Sequence, residues 1–249
     1  MKIVILVNFF LFSMVFLESS SIKNDMFDQE EIINYQKIFG NDYTKALNFI
    51  KVNKKFINSA LDNKKLDKSI LVSVLFPERI RYSIISDYVE TEINENLYTS
   101  FGSEYVDFSI GYFQMKPSFI EKIEAYLISN EELNSFFSTT MKYNAKTDKE
   151  IRKERIIRLK SFNWQLKYAE IFYYIVESKF DLEKYDTIEK IEFFAAAYNF
   201  GFDKSQEKIE KTITETYFPY GNSYPGKQYS YSKIASFFYI NNYKSIFLY

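Results

Sequence analysis

The sequence predicts a mainly α-helical protein. Apolar residues recur at helical spacing along most of the chain, and the clearest stripe consists of Phe162, Leu166, Ala169, Tyr173 and Val176. Glycine and proline stand where such segments should end or begin. Gly102 and Gly201 suit helix C-termini, and Pro117 suits a first helical turn. A chain of 249 residues can bury a substantial core, so we expect one domain, with or without an extension.

Helices are predicted along most of the chain. Residues 28–61 show a helical pattern that Gly40-Asn41-Asp42 divides in two. The later predicted helices cover residues 66–76, 87–101, 117–128, 131–140, 147–180, 188–200 and 232–239. We expect residues 22–64 to form an N-terminal helical extension and residues 65–249 to form the main domain. The charged first half of segment 147–180 is interpreted as a solvated helix face with internal ion pairs.

The N-terminus has the pattern of a secretory signal. A basic start precedes an apolar run over residues 3–17, and three serines follow at positions 19–21. The run is short and is interrupted by Asn8 and Ser13, whereas a membrane span needs ~20 apolar residues. We therefore expect a signal peptide at residues 1–21, no stable membrane span after its cleavage, and a mature chain exported to the periplasm or cell envelope of a bacterium. An uncleaved anchor and an amphipathic helix are the alternatives.

The composition excludes several kinds of chemistry. The chain contains no Cys and no His, so it lacks thiolate nucleophiles, histidine bases and the usual zinc ligands. We expect no metal and no cofactor. The net charge of -1 and the absence of a nucleic-acid motif predict no nucleic-acid partner. If the protein is an enzyme, carboxylates are the best candidates for proton transfer, because burial can raise the pKa of a Glu toward neutrality.

Glu78 is the first candidate for such a role. It follows an apolar run over residues 69–76 and Pro77, which is expected to end or kink a buried helix. A carboxylate in this position is costly unless it is paired or protonated. An ion pair with Arg79 or Arg81 is the structural alternative to a catalytic role.

Two further segments carry polar groups among apolar ones. Gly111-Tyr112-Phe113-Gln114-Met115-Lys116-Pro117 is predicted to be an extended or looped segment between helices, in which the Gln114 amide needs a partner. Ala197-Tyr198-Asn199 brings a hydroxyl and an amide to the end of a buried helix that stops at Gly201. A capped helix with a core tyrosine would explain the second segment equally well.

Glu78, the glycine-to-glutamine segment and the Ala-Tyr-Asn segment stand in an order that resembles the lysozyme-like domain of bacterial lytic transglycosylases and goose-type lysozymes. In that family a catalytic Glu ends a buried helix, a Gly-Leu-Met-Gln-like segment follows, and an Ala-Tyr-Asn motif closes the site. Two features depart from the pattern. Arg79 stands where the family typically has Ser, and the interval from Glu78 to Gln114 is longer than usual.

The resemblance implies a lysozyme-like α+β fold with a small loop or β element beside an active-site groove. It also implies cleavage of the β-1,4 bond between N-acetylmuramic acid and N-acetylglucosamine in peptidoglycan, with Glu78 as the single acid and base. The implied substrate-binding residues are Gly111, Tyr112, Gln114, Tyr198 and Asn199. The glycan strands of peptidoglycan are the expected partner, and protein partners stay open.

Two alternatives accompany this expectation. A hydrolytic muramidase could use a second carboxylate, for which Asp107 is the most interesting candidate and Asp87 and Glu104 are others. Asp107 is more often a capping or turn residue, which favours the transglycosylase. The protein could also be a lysozyme-like module that binds peptidoglycan or braces an envelope machine without cutting the glycan.

Overall fold

Helices account for most of the described residues, which are 33–62, 65–85 and 91–248 of this computed structural model. In chain order they are α1 (Tyr35–Val52), α2 (Lys54–Ala60), α3 (Lys68–Ile85), α4 (Thr91–Phe101), α5 (Pro117–Ser129), α6 (Glu131–Met141), α7 (Asp148–Lys160), α8 (Phe162–Lys179), α9 (Thr187–Ala196), α10 (Gln206–Thr212), α11 (Tyr231–Phe238) and α12 (Lys244–Phe247). π-Helical turns follow α9 at Ala197–Gly201 and α11 at Tyr239–Tyr243. The mainly α class is confirmed.

Strand-like pairing within the described ranges is limited to two isolated antiparallel bridges, Ile110 with Met115 and Phe218 with Tyr229. The predicted signal peptide, residues 1–21, lies outside the described residues. Among the helices just given, none is long and apolar enough to cross a membrane.

Local sequence signals place several helix ends correctly. Pro117 occupies the first turn of α5, and Gly102 follows α4 with a φ of 90°. Helix α7 begins with a capping box in which Thr147 and Glu150 satisfy each other's backbone N–H groups. Gly40 has a φ of 48° and kinks α1, where the sequence predicted a break.

Helix α3 lies at the centre of the core. It packs against α1, α9 and α11, and its residues from Ile70 to Ile80 are all buried. The rings of Phe76 in α3 and Phe238 in α11 stack with centroids 4.1 Å apart. A helix buried on all sides must provide a partner for every polar group that it carries. The buried Glu78 and Arg79 near the C-terminal end of α3 therefore each need a partner.

The N-terminal helices belong to the same compact unit as the rest. Asn34–Tyr249 form one unit, and Tyr43, Ala46 and Ile50 of α1 are buried in the shared core. The expected division between residues 22–64 and residues 65–249 therefore does not coincide with a boundary between compact units. The stripe of buried residues on α1 could not reveal its packing partner, because periodicity gives a buried face but not what covers it.

Pro77 was expected to end or kink the helix; α3 continues through Pro77 to Ile85, so the first alternative, a helix end, is wrong. Proline cannot donate a hydrogen bond to the preceding turn. In that turn, the Tyr231 hydroxyl from α11 donates to the Val74 carbonyl oxygen at 2.8 Å. The acceptor that Pro77 leaves free is the Ser73 carbonyl oxygen, so the Tyr231 bond braces the turn but does not replace the lost bond, and the dense packing of α3 against α1, α9 and α11 allows the helix to continue. Glu78 consequently lies within a buried helix rather than at its end.

The predicted helix over residues 147–180 is two helices that meet at Ser161. Ser161 has extended backbone angles, and its side chain accepts a hydrogen bond from the Trp164 N–H. The expectation of a solvated charged face on the first of them is wrong for Arg155 and Arg158, which are both buried. Arg155 binds Glu121 and Glu124 of α5 and so joins two helices.

Replacing Arg155 by Ala should lower the free energy of unfolding by about 3 kcal/mol, because two partly buried carboxylates lose their partner. Arg155 lies 2.6 Å from Glu124 and 3.1 Å from Glu121. Urea denaturation measures the change, with Lys149→Ala on the exposed face of α7 as the control. If Arg155→Ala and Lys149→Ala destabilise equally, the ion pairs do not fasten α7 to α5.

Candidate active site

An open cavity of about 120 Å³ lies beside the C-terminal half of α3. Its walls come from α3, the Ile110–Met115 hairpin, α5 and the π turn after α9. Four of the predicted site residues meet there, namely Glu78, Gln114, Tyr198 and Asn199. These residues are distant in sequence, so the fold itself assembles the cluster.

Glu78 is buried, with 2% of its side chain exposed. Its Oε1 atom accepts a hydrogen bond from Arg81 Nη1 at 2.6 Å. Its Oε2 atom is also buried but has no hydrogen-bond partner among the described residues. The Tyr231 hydroxyl interacts with the carboxyl group but donates its own hydrogen bond to the Val74 carbonyl oxygen, so Oε1 alone accepts a hydrogen bond.

Burial raises the pKa of Glu78 above its ordinary value of 4.5. The Arg81 guanidinium opposes the rise, and the Tyr231 hydroxyl opposes it less, but neither cancels it. Burial, and secondarily the negative charge of Glu78, raise the pKa of the Tyr198 and Tyr231 phenols well above 10.0. Both phenols consequently stay neutral while Glu78 titrates.

Arg81 connects three parts of the site. Besides Glu78, it donates from Nη2 to Asn199 Oδ1 at 3.2 Å and from Nε to the Pro219 carbonyl oxygen at 3.2 Å. Its guanidinium also lies over the Phe218 ring, 4.9 Å from the centroid. The i, i+3 spacing on α3 places Arg81 on the same helix face as Glu78, and the ion pair anticipated with Arg79 or Arg81 is formed by Arg81.

Arg79 faces away from Glu78. Its guanidinium lies 3.8 Å from the centroid of the Phe49 ring and donates from Nη1 to the Tyr112 carbonyl oxygen at 2.8 Å. Burial lowers the pKa of Arg79 to about 10. Arg79 therefore holds the hairpin against α1 rather than acting on the carboxyl group.

The hairpin between Ile110 and Met115 is a tight turn held by Gln165. Gly111 has a φ of 72° and Gln114 a φ of 49°, and the Gln114 side chain donates back to the Gly111 carbonyl oxygen at 2.9 Å. The buried Gln165 side chain accepts from the Phe113 N–H at 2.7 Å and donates to the Ile110 carbonyl oxygen at 2.8 Å. Sequence reasoning missed Gln165, whose only signal is a polar residue within an apolar helical stripe.

Tyr198 fixes the hairpin from the other side. Its hydroxyl donates to the Phe113 carbonyl oxygen at 2.9 Å. Tyr198 and Asn199 belong to the π turn, which widens the helix so that Tyr198 is buried and Asn199 is exposed. π turns of this kind often mark functional sites. Tyr198 lines the cavity, but its hydroxyl is engaged with the protein.

Gly111 and Tyr112 do not line the cavity. A Cβ atom on Gly111 would lie 2.2 Å from Gln165 Nε2, so the glycine is required by packing. The Tyr112 ring stacks on Phe49 with centroids 5.7 Å apart. Gly111 and Tyr112 are therefore not placed to contact a substrate in the cavity. They determine the shape of the hairpin that carries Gln114.

Asp107 caps α5 instead of entering the cavity. Its carboxylate accepts from the Ser118 N–H at 3.2 Å and from the Ser118 hydroxyl at 2.8 Å. Glu104 is exposed and does not line the cavity either, and Asp87 lies outside the described residues. Among the described lining residues, Glu78 is the one with a carboxyl group.

No family model matches the chain, and no curated protein or solved structure is significantly similar to it. In the ranges that the structure covers, no group of three or more acidic side chains is arranged to hold a metal ion. The chemistry must therefore be argued from the cavity itself.

Gly111→Ala should destabilise the protein by about 2 kcal/mol or more, because the new Cβ atom would clash with the Gln165 side chain and the Leu159 carbonyl oxygen. Gly221→Ala is the matched control: Gly221 has a φ of 87° but open space around it, so its substitution should cost only the backbone strain of about 1 kcal/mol. Thermal or urea denaturation measures both. Equal losses would show that Gln165 does not hold the turn.

The stability of the wild type relative to Glu78→Gln should fall as the pH rises above 4.5. The folded protein binds the Glu78 proton more tightly than the unfolded chain, so the contribution is complete below the unfolded pKa and is lost as the pH passes through the folded pKa. Urea denaturation of both proteins over a pH series gives the difference.

A difference that instead grows with pH would contradict this account. It would mean that the fold stabilises the charged form of Glu78, with the ion pair to Arg81 outweighing burial.

Proposed function

We propose that the protein is an exported peptidoglycan lytic transglycosylase with a lysozyme-like fold, in which Glu78 is the single acid and base. The observation that carries this proposal is the state of Glu78: a buried carboxyl group with a raised pKa that lines an open cavity and has one oxygen without a partner. A general acid at neutral pH needs such an environment.

The Arg81 contact is compatible with a protonated Glu78. Arg81 donates to Oε1, and a neutral carboxyl group can still accept that bond on its carbonyl oxygen. The proton would then reside on Oε2, the atom without a partner. The hydrogen bond from Arg81 would hold the carboxyl group in one orientation, and because Oε2 is buried, the side chains around it must move for a glycosidic oxygen to reach the proton.

The reaction needs no second carboxylate. Glu78 gives its proton to the glycosidic oxygen as the bond to C1 of the muramic acid breaks. The Glu78 carboxylate then removes the proton from the C6 hydroxyl of the same sugar, whose oxygen bonds to C1 and closes a 1,6-anhydro ring. Glu78 ends protonated, as it began, and the reaction consumes no water.

The remaining lining groups support binding of a sugar. Gln114 and Asn199 present amides, which can contact N-acetyl groups and hydroxyls. Phe200 is 46% exposed at the cavity rim and offers an apolar face to a sugar ring. Tyr198 positions the hairpin that carries Gln114.

The position of Asp107 disfavours the hydrolytic alternative. An inverting hydrolase needs a second carboxylate about 6.5–9.5 Å from the acid, with a water molecule between them. Asp107 is committed to Ser118 at the start of α5 and does not line the cavity. A transglycosylase mechanism makes no such demand.

The second candidate is a lysozyme-like module that binds glycan strands without cutting them. The specific observation in its favour is the 2.6 Å contact between Arg81 and Glu78, because a strong ion pair would keep the carboxyl group charged. In both cases the glycan strand occupies the same cavity.

Glu78→Gln should lower the release of 1,6-anhydromuropeptides from purified peptidoglycan by about 10²–10⁴-fold, because amide nitrogen cannot supply the proton. Mass spectrometry of the soluble products measures this. Asp107→Asn is the control, and it should keep cleavage within about tenfold of the wild type, since its side chain caps a helix.

Each other outcome has a distinct meaning. Products with reducing muramic acid ends would indicate hydrolysis. If wild type and Glu78→Gln both bind the glycan and release nothing, the binding module is correct and the enzyme proposal fails.

A further inference from the structure

The cavity has an excess of positive charge. Glu78 is the acid among its described lining residues, whereas Arg81, Lys116 and Lys122 all contribute cations. Arg81 is engaged with Glu78, Asn199 and the Pro219 carbonyl group, so its N–H groups are directed at the protein. The two lysines are therefore the cations that a ligand can reach.

Both lysines retain donors for a ligand. Lys122 donates to Asp203 Oδ1 at 3.0 Å with 45% of its side chain exposed, and Lys116 lies 3.5 Å from Asp107 with 52% exposed. An ammonium group has three N–H donors, so each lysine keeps donors for a second partner. Asp107 already accepts two hydrogen bonds from Ser118, so its electrostatic attraction for Lys116 is weaker.

Asp203 does not neutralise the local charge. Lys122 binds its Oδ1 atom, and Lys204 binds its Oδ2 atom at 3.1 Å. Burial acts to raise the pKa of Asp203, but the two lysines lower it by more, so this carboxylate stays charged. One negative charge is shared between two cations, and only Lys122 of that pair lines the cavity.

We propose that Lys116 and Lys122 make the cavity selective for a sugar that carries a free carboxylate, namely a muramic acid unit whose lactyl group is not linked to a peptide. The proposal deepens the proposed function, because it assigns the substrate class of the same cavity. In peptide-bearing strands the lactyl carboxyl group is an amide and carries no charge. In peptide-free strands it is an anion on the sugar that receives the anhydro ring.

This selectivity implies a place in a reaction sequence. A reaction that hydrolyses the amide bond between the lactyl group and the peptide must come first and supply the substrate. A neutral glycan such as a polymer of N-acetylglucosamine lacks the charge and should be a poor ligand.

The test compares N-acetylmuramic acid with its methyl ester, which lacks the negative charge and carries one added methyl group. The protein is the full mature chain with Glu78→Gln, which mimics the protonated carboxyl group and prevents turnover. NMR titration of the ¹⁵N-labelled protein should show roughly fivefold tighter binding of the acid than of the ester at low salt. The preference should shrink at high salt, because the lysines are partly exposed.

A double substitution, Lys116→Gln with Lys122→Gln, should abolish the preference for the acid while leaving binding of the ester within about twofold. Lys204→Gln is the matched control: it removes a similarly exposed lysine from the same Asp203 but should keep the preference, because Lys204 does not line the cavity. A circular dichroism melt of each variant verifies that it is folded.

Equal binding of acid and ester, no binding of either, or a preference that survives the double substitution would overturn the proposal. These results are independent of cleavage. A wild type that releases anhydro products without a preference for the acid keeps the proposed function and loses this inference. If the protein prefers the acid but releases no anhydro products, the selectivity of the cavity is supported and the proposed transglycosylase activity fails.

Discussion

The Arg81 guanidinium joins the parts of the molecule on which the candidate site depends. It contacts Glu78 in its own helix, Asn199 in the π turn and the Pro219 carbonyl group in the following loop. A buried carboxylate without a partner is costly, so such a group becomes neutral through a raised pKa unless a cation stabilises its charge. Arg81 stabilises one oxygen of Glu78 and leaves the other unpaired. The same interaction therefore supports the fold and limits how far burial can raise the pKa of the carboxyl group.

The local sequence was sufficient for features set by neighbouring residues. The stop at Gly102 and the start at Pro117 follow from backbone preferences, and the break at Gly40 is a kink in α1. The capping role considered for Asp107 is also found, but it is not local, because its partner Ser118 lies 11 positions along the chain and the hairpin brings the two together. The ion pair of Glu78 with Arg81 was also foreseeable from their spacing in a helix.

Tertiary contacts decided what the sequence could not. Helix α3 passes through Pro77 with a hydroxyl from Tyr231 donating into the preceding turn, and that residue is more than 150 positions away along the chain. Gln165 holds the hairpin from α8, and its one signal in the sequence, a polar residue within an apolar stripe, does not reveal which backbone groups it bonds. The spacing of apolar residues could not show that the Arg79 guanidinium would pack over the ring of Phe49 in α1. Motif order predicted which residues would meet, but not which of them would face the cavity.

Glu78 can act as a general acid only if it stays neutral despite its contact with Arg81, and its pKa distinguishes the two states. ¹³C NMR of the glutamate side-chain carboxyl carbons over a pH series gives that pKa, and the Glu78→Gln spectrum assigns the signal. We expect a titration midpoint above the ordinary value of 4.5, because burial of the carboxyl group outweighs its contact with Arg81. A midpoint at or below that value would show that Arg81 keeps the carboxyl group ionised, and Glu78 would then be a structural residue rather than a general acid.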